Sequence, residues 1–341
     1  MNQRDNSIDI AKTIGIILVV LGHTDFPYSQ LVYQFHLPLF FFLSGAVFDE
    51  KKMENMKQFV FKKFKGLYWP FVKFELLFLF LHNAFSEIGF YSNASGIKEY
   101  YNSKDFGIMI LKILTMGGGE QLAGPLWFLI SSLEIVLIFA LLLKIFKSVK
   151  KYADGFLLLF CLLLYYIGCY TNLPRMLSQS LIGLLFFCCG YVYRKNKEKI
   201  ALNGLALLIA AIVVLVCYKF NYVDISRLEI THKWMLIVSG LAGTYCVLFA
   251  AKKLEKTRNS FWVYCGKNSI YILLLHCVSF KIIMAVEIAF NHVNWDYLGT
   301  FPVYKINEWW CIPLTLAGVF IPLMVKRIIE QSFLIKRKMS C

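Results

Sequence analysis

Apolar runs of membrane-spanning length recur along nearly the whole chain, and no other feature limits its fold as much. The hydrocarbon core of a bilayer is about 30 Å thick, so a helix of roughly 20 mostly apolar residues crosses it with every backbone hydrogen bond satisfied internally. Such runs lie near 8–24, 31–48, 67–85, 126–146, 155–172, 178–194, 201–219, 234–251, 269–290 and 309–329. They predict an all-α fold, a polytopic membrane protein with about ten transmembrane helices. In 341 residues little is left besides connections, so residues 1–341 are read as a single integral-membrane domain without a soluble extension. Composition agrees, with 58% hydrophobic and only 17% charged residues, a balance too apolar for a water-facing domain.

A net charge of +15 raises the possibility of a nucleic-acid partner, and its distribution argues against one. The cations gather in alternate connections: Lys51 to Lys65, Lys147 to Lys151, Arg194 to Lys199, Lys252 to Lys267, and the tail from Lys326 to Lys338. The intervening loops are poor in Lys and Arg. By the positive-inside rule these segments and both termini are cytoplasmic, which an even number of spans also requires. The expected location is the cytoplasmic membrane, crossed many times, with membrane lipids as partners. The run KKMENMKQFVFKKFK reads as a basic interfacial helix drawn to anionic lipid. The first apolar run carries Asp9 and Lys12 and lacks a small-residue cleavage site, so it reads as a retained span.

Several chemistries are excluded by what the spacing lacks. Ten Cys form no CxxC pair and no His/Cys cluster with zinc spacing, so neither a disulfide framework nor a metal is expected. There is no Walker loop, GxGxxG, GxSxG or internal repeat. The longest segment between spans, about 86–125, contains GGGEQLAGP and reads as a re-entrant or mobile loop over an outward-facing site.

The first span holds the most informative polar pair. Lys12 and His23 are eleven residues apart, and eleven helical steps of about 100° return to within roughly 20° of the start, so both share one face about 16 Å apart along the axis. Polar groups placed so deep in a span usually face a protein interior or a cavity. Lys12 then lies near the inner surface and His23 near the outer one, on the wall of a site. Asp9 is within ion-pairing reach of Lys12, either to stabilise the helix start or to help bind a cofactor. His36 opens the second span a short loop after His23, at the same outer level.

The segments RDNSIDIAKTIGIILVVLGHT and FHLPLFFFLSGAVF resemble the start of acyltransferase family 3, integral-membrane enzymes that O-acetylate carbohydrates, and especially its fucose 4-O-acetylase-like branch. KKFKGLYWPF, GPLWFL, FFCCGYVYRK and GKNSIYILLLH resemble later family blocks in the same order, so the resemblance covers most of the chain. The family's first-span pattern, a basic residue, ten residues and a His, falls on Lys12 and His23. Many members have Arg at the first position; Lys keeps the charge and loses the bidentate fork. The late family His falls on His276. The resemblance implies acetyl-CoA as acyl donor and a carbohydrate acceptor, free or lipid-linked. Members with a secreted esterase-like extension use it on cell-wall polymers, so a chain ending at Cys341 is expected to transfer directly.

This chemistry also has a physical basis. Acyl-CoA is cytoplasmic and surface glycans are external, so the thioester must reach across the bilayer, with its phosphates near the basic inner surface and Lys12. Acyl transfer to an alcohol needs a base, and imidazole, with an ordinary pKa near 6.5, suits neutral pH. His23 is the expected general base, with His36 a second catalytic candidate or an interfacial His. Glu134, Trp127, His276 and Arg175 are candidate substrate-binding residues; His276 reads equally as a core histidine and Arg175 as a solvated loop cation. Glu75, Lys281 and Glu287 are further intramembrane charges, Lys73 and Glu287 lying where they could snorkel. His82 reads as interfacial or loop-borne. A glycan or lipid transporter is the alternative function, since ten helices with internal charges suit a permease too.

Overall fold

The computed structural model describes residues 5–92, 100–146, 153–200, 202–257 and 259–339, and the side chains of these up to residue 332 apart from Ala153. The basic positions Lys147, Lys150, Lys151 and Arg258, and the side chains of Lys336, Arg337 and Lys338, lie outside the described residues.

The described chain is almost wholly helical. In order it forms α1 (Asn6–Gly22), α2 (Ser29–Tyr33), α3 (His36–Ala46), α4 (Met56–Lys63), α5 (Trp69–Glu87), α6 (Ser103–Leu114) and α7 (Trp127–Phe146). There follow α8 (Ala153–Tyr170), α9 (Leu177–Asn196), α10 (Gly204–Phe220), α11 (Lys233–Glu255), α12 (Ser260–Lys267), α13 (Ser269–Asn291) and α14 (Cys311–Met339). Among the described residues four helical stretches, Gln121–Phe146, Lys233–Glu255, Ser269–Asn291 and Glu308–Ser332, are long and apolar enough to cross a membrane. Leu159, Leu205, Phe80 and Phe290 are two-thirds or more exposed. Large apolar side chains left on the outside suit a surface solvated by lipid. The chain is therefore an all-α, multi-pass membrane protein.

Its contacts divide into two compact units. The first comprises Met1–Gly15, Gln30–Lys73 and Trp127–Asn259. Its core joins Phe41, Phe139, Tyr165, Phe186, Phe187 and Tyr191. Here α3 and α9 cross with backbones nearly touching: a Cβ on Gly45 would lie 1.9 Å from the Phe187 carbonyl oxygen, and one on Gly190 1.9 Å from that of Phe42. Close approach through small residues is how helices gain packing where no water drives them together. A buried amide cluster closes one end. Gln34 Nε2 donates to Asn221 O at 2.7 Å, Asn221 Oδ1 accepts from His232 N at 2.7 Å, and a two-residue hairpin pairs Val223 with Ile230.

Between the second and third apolar runs the basic segment forms a 3-10 turn at Glu50–Met53, then α4, then a π turn at Phe64–Tyr68 that leads into α5. Its lysines are largely exposed, as an interfacial helix requires, and Phe59 turns inward. Arg194 donates to Phe48 O and Tyr191 to Glu50, fastening the segment to α9.

The second unit comprises Ile16–Ser29, Phe74–Leu126 and Ser260–Cys341. GGGEQLAGP does not extend into solvent: Gln121–Leu126 coil as a 3-10 turn, with Leu122, Ala123, Pro125 and Leu126 buried, and pack on α13. The intramembrane Lys281 is fully buried, and its Nζ donates to the carbonyls of Leu298 and Thr300, each at 2.7 Å. Glu287 does not snorkel; buried, it accepts the Ile306 N–H at 2.6 Å. These two charges hold the 292–307 connection against α13. Lys73, in contrast, is exposed with its ammonium 5.9 Å from the Trp69 ring.

Candidate functional site

His23 stands where α1 ends. Its N–H is shared between the carbonyls of Val19 and Val20, and the Thr24 hydroxyl donates to Leu21 O at 2.7 Å, so the last turn closes on its own backbone. Asp25 follows in the left-handed region, φ 51°, and turns the chain away. Lys305 reaches Asp25 at 3.7 Å and fixes that turn.

His276 lies within α13, completely buried, and meets His23 across 253 residues of sequence: His23 Nδ1 and His276 Nε2 are 2.9 Å apart. The ring centres are 5.1 Å apart and the planes 20° from parallel. At that separation two ring nitrogens can approach so closely only if both lie on the line between the centres. The imidazoles therefore meet edge to edge in a hydrogen bond and are not stacked face to face.

The proton positions follow from the partners. His276 Nδ1 lies 2.9 Å from Ile272 O and 3.1 Å from Leu273 O. Carbonyl oxygens only accept, so Nδ1 carries the hydrogen and the neutral ring keeps its lone pair on Nε2. That lone pair accepts from His23 Nδ1–H. In its neutral form His23 then holds a lone pair on Nε2, the nitrogen that points away from His276. This assignment comes from the hydrogen-bond network and fixes one tautomer for both rings.

The close fit of α14 keeps the pair in place. A Cβ on Gly318 would come within 2.6 Å of Val20 Cγ1, 2.8 Å of Phe280 Cε1 and 3.5 Å of His276 Cβ. Only a glycine lets α14 lie against both helices that carry the imidazoles. Beside them lies Cys277, whose sulfur and one ring nitrogen from each histidine all fall within 4.8 Å of one another.

The other sequence candidates are placed as follows. Lys12, half-buried, and Asp9, buried, lie on the part of α1 that belongs to the first unit. His36 also belongs there, buried, with Nδ1 3.0 Å from Val32 O and its ring 5.0 Å from that of Tyr33. Trp127 begins α7, its ring edge-on to Phe128. Glu134 accepts from Ser180 Oγ at 2.6 Å, and Arg175 lies in the same first unit. Arg175 and Met176 both have left-handed backbones, φ 58° and 64°, a conformation uncommon for non-glycine residues.

A second histidine site was not legible in the sequence. His82 is not interfacial: its Nδ1 lies 3.0 Å from Glu120 Oε2, and both side chains are wholly buried. The Tyr101 ring covers the imidazole at 3.6 Å and 8° from parallel. Glu75 accepts the N–H groups of Gly119 and Glu120 at 3.3 and 3.4 Å. Burial, then the Glu120 and Asp105 charges, push the Tyr101 phenol up to about 12. The only signal for this cluster was a carboxylate in a Gly-rich stretch that had to bend.

A protein-family model described as an acyltransferase domain matches residues 5–325. No curated protein and no solved structure matches the chain.

Proposed function

From the membership of this chain in that acyltransferase family, we propose that it moves an acetyl group from cytoplasmic acetyl-CoA to a hydroxyl of an extracytoplasmic or lipid-linked carbohydrate, with His23 as general base. That the protein is a multi-pass membrane acyltransferase follows from the family and the helices. The donor, the acceptor class, the fucose 4-O-acetylase-like branch, ten spans and cytoplasmic termini belong to the proposal.

The observation that carries it is the oriented imidazole pair. His276 fixes the His23 ring and leaves His23 Nε2 as the proton acceptor, the part a carboxylate plays behind the histidine of a catalytic triad. His23 Nε2 takes the proton of the acceptor hydroxyl as its oxygen attacks the thioester carbonyl. The tetrahedral intermediate collapses with departure of the CoA sulfur, and the imidazolium returns the proton to that thiolate. The negative end of the α1 dipole lies at His23 and stabilises the charge that the ring carries between these steps.

Lys12, with Asp9 one helical turn away, receives the phosphate end of the donor near the inner surface. His36, whose Nδ1 is held by Val32 O of α2, is given no step. The test is transfer of labelled acetyl from acetyl-CoA to a glycan acceptor by the purified protein. His23→Ala is expected to cut the rate by about 10²–10⁴, the usual weight of a general base. Glycan export by a protein that never transfers acetyl would favour a transporter instead.

A further inference from the structure

We infer that His23, His276 and Cys277 form a site for a soft divalent transition metal, zinc foremost, and that metal and substrate proton compete for the same imidazole. Among the described residues these are the one set of three His, Cys or carboxylate groups whose donor atoms all fall within 4.8 Å of one another. Two imidazoles and a thiol, with no carboxylate, suit zinc or cobalt and not magnesium or calcium.

Binding an ion requires the nitrogen pair to open and the widest donor separation, 4.8 Å, to close. Zinc holds His nitrogen at about 2.0–2.1 Å and Cys sulfur at about 2.3 Å, so donors around one ion lie farther apart than the 2.9 Å between the two nitrogens here. His23, half-buried at the end of a helix, is the less enclosed of the two imidazoles. His276 is already oriented, since its Nδ1–H is held by the carbonyls of Ile272 and Leu273 and its Nε2 lone pair faces inward. Such an outer hydrogen bond is what metal-binding histidines usually have. Three protein ligands leave a fourth position open.

The proton balance makes binding and catalysis exclusive. Without metal, His23 carries its hydrogen on Nδ1 and Cys277 is a thiol. An ion on His23 Nδ1 displaces that hydrogen, the ring takes one on Nε2 and stays neutral, and Cys277 gives one proton to solvent as its thiolate binds. The net release is one proton, with no change of oxidation state. His23 Nε2 now bears a hydrogen and cannot take one from a hydroxyl. The inhibition half of this inference rests on His23 being the base; the binding half does not.

The experiment uses the full chain in lipid nanodiscs, cleared of metal with a chelator and titrated with cobalt as the probe for zinc. One cobalt per chain is expected, with a thiolate-to-cobalt charge-transfer band and tetrahedral visible bands that zinc abolishes. Cys277→Ala should lose the charge-transfer band, and Cys161→Ala should keep it. Zinc should stop acetyl transfer by the unaltered chain reversibly, while Cys277→Ala keeps its basal rate and needs at least about 100-fold more zinc. Absence of the band, or its survival in Cys277→Ala, overturns the site. A normal band together with transfer that zinc leaves untouched supports the site and overturns His23 as the base.

Discussion

An imidazole in the interior of a span is costly unless both its nitrogens are satisfied, and His276 satisfies them with two carbonyls on one side and His23 on the other. If its part is to orient His23, His276→Phe should lower kcat by about 10-fold or more, leave the KM for acetyl-CoA nearly unchanged, and alter the pH profile of the residual rate. An equal loss of donor binding, with the pH profile unmoved, would reduce His276 to packing. His23 could be read from its place at the end of an apolar run, whereas its partner is 253 residues away, beyond any spacing rule. The site at His82 escapes spacing rules for the same reason, since the carboxylate bonded to it lies 38 residues on.

Asp5 supplies a pH test outside the spans. Burial works to raise its carboxyl, but the Lys197 ammonium and the Ser7 hydroxyl outweigh it and hold Asp5 below the usual range. A depressed folded value means stabilisation present above the ordinary carboxylate pKa and lost as pH falls through the folded one. Asp5→Asn should therefore reduce thermal stability slightly at neutral pH and have no effect in strong acid. The pair is half-exposed, which keeps the loss small.

At the scale of elements, the helices followed from hydrophobic run length, since a hydrocarbon solvent leaves the backbone no other way to satisfy its hydrogen bonds. Their close crossings did not, because a glycine in an apolar run looks the same whether it touches lipid or another backbone. Gly318→Leu should drive Val20 and Phe280 apart and cost about 1–3 kcal/mol as an overpacked contact. Acyl transfer should fall with it, measured against Gly66→Ala, where a Cβ would meet nothing within 4 Å. Lys281→Met keeps length and removes the donor to two carbonyls. Leaving them buried and unmet costs about 1–3 kcal/mol each, read as a lower unfolding temperature. The Gly-rich GGGEQLAGP stretch was legible as a bend; that it coils inward against Glu75 was set by contacts distant in sequence.

At the scale of the whole molecule, the proposed topology places Lys199 inside and Asn102 outside. An impermeant maleimide should label Asn102→Cys in intact cells and Lys199→Cys only after permeabilisation; the reverse pattern would invert the donor's entry side. The membrane class was legible from composition and run length. The reaction was legible only through the resemblance carried by the first two apolar runs, because a lone Lys and His on one helix face suit a permease equally well.

The most direct measurement of the central claim is single-turnover transfer of labelled acetyl from acetyl-CoA to a glycan acceptor by the reconstituted protein and its His23→Ala variant at matched folding. The account predicts that the unaltered chain transfers label and that the variant still binds donor but transfers at least about 10²-fold more slowly. Transfer at the unaltered rate by His23→Ala would contradict it.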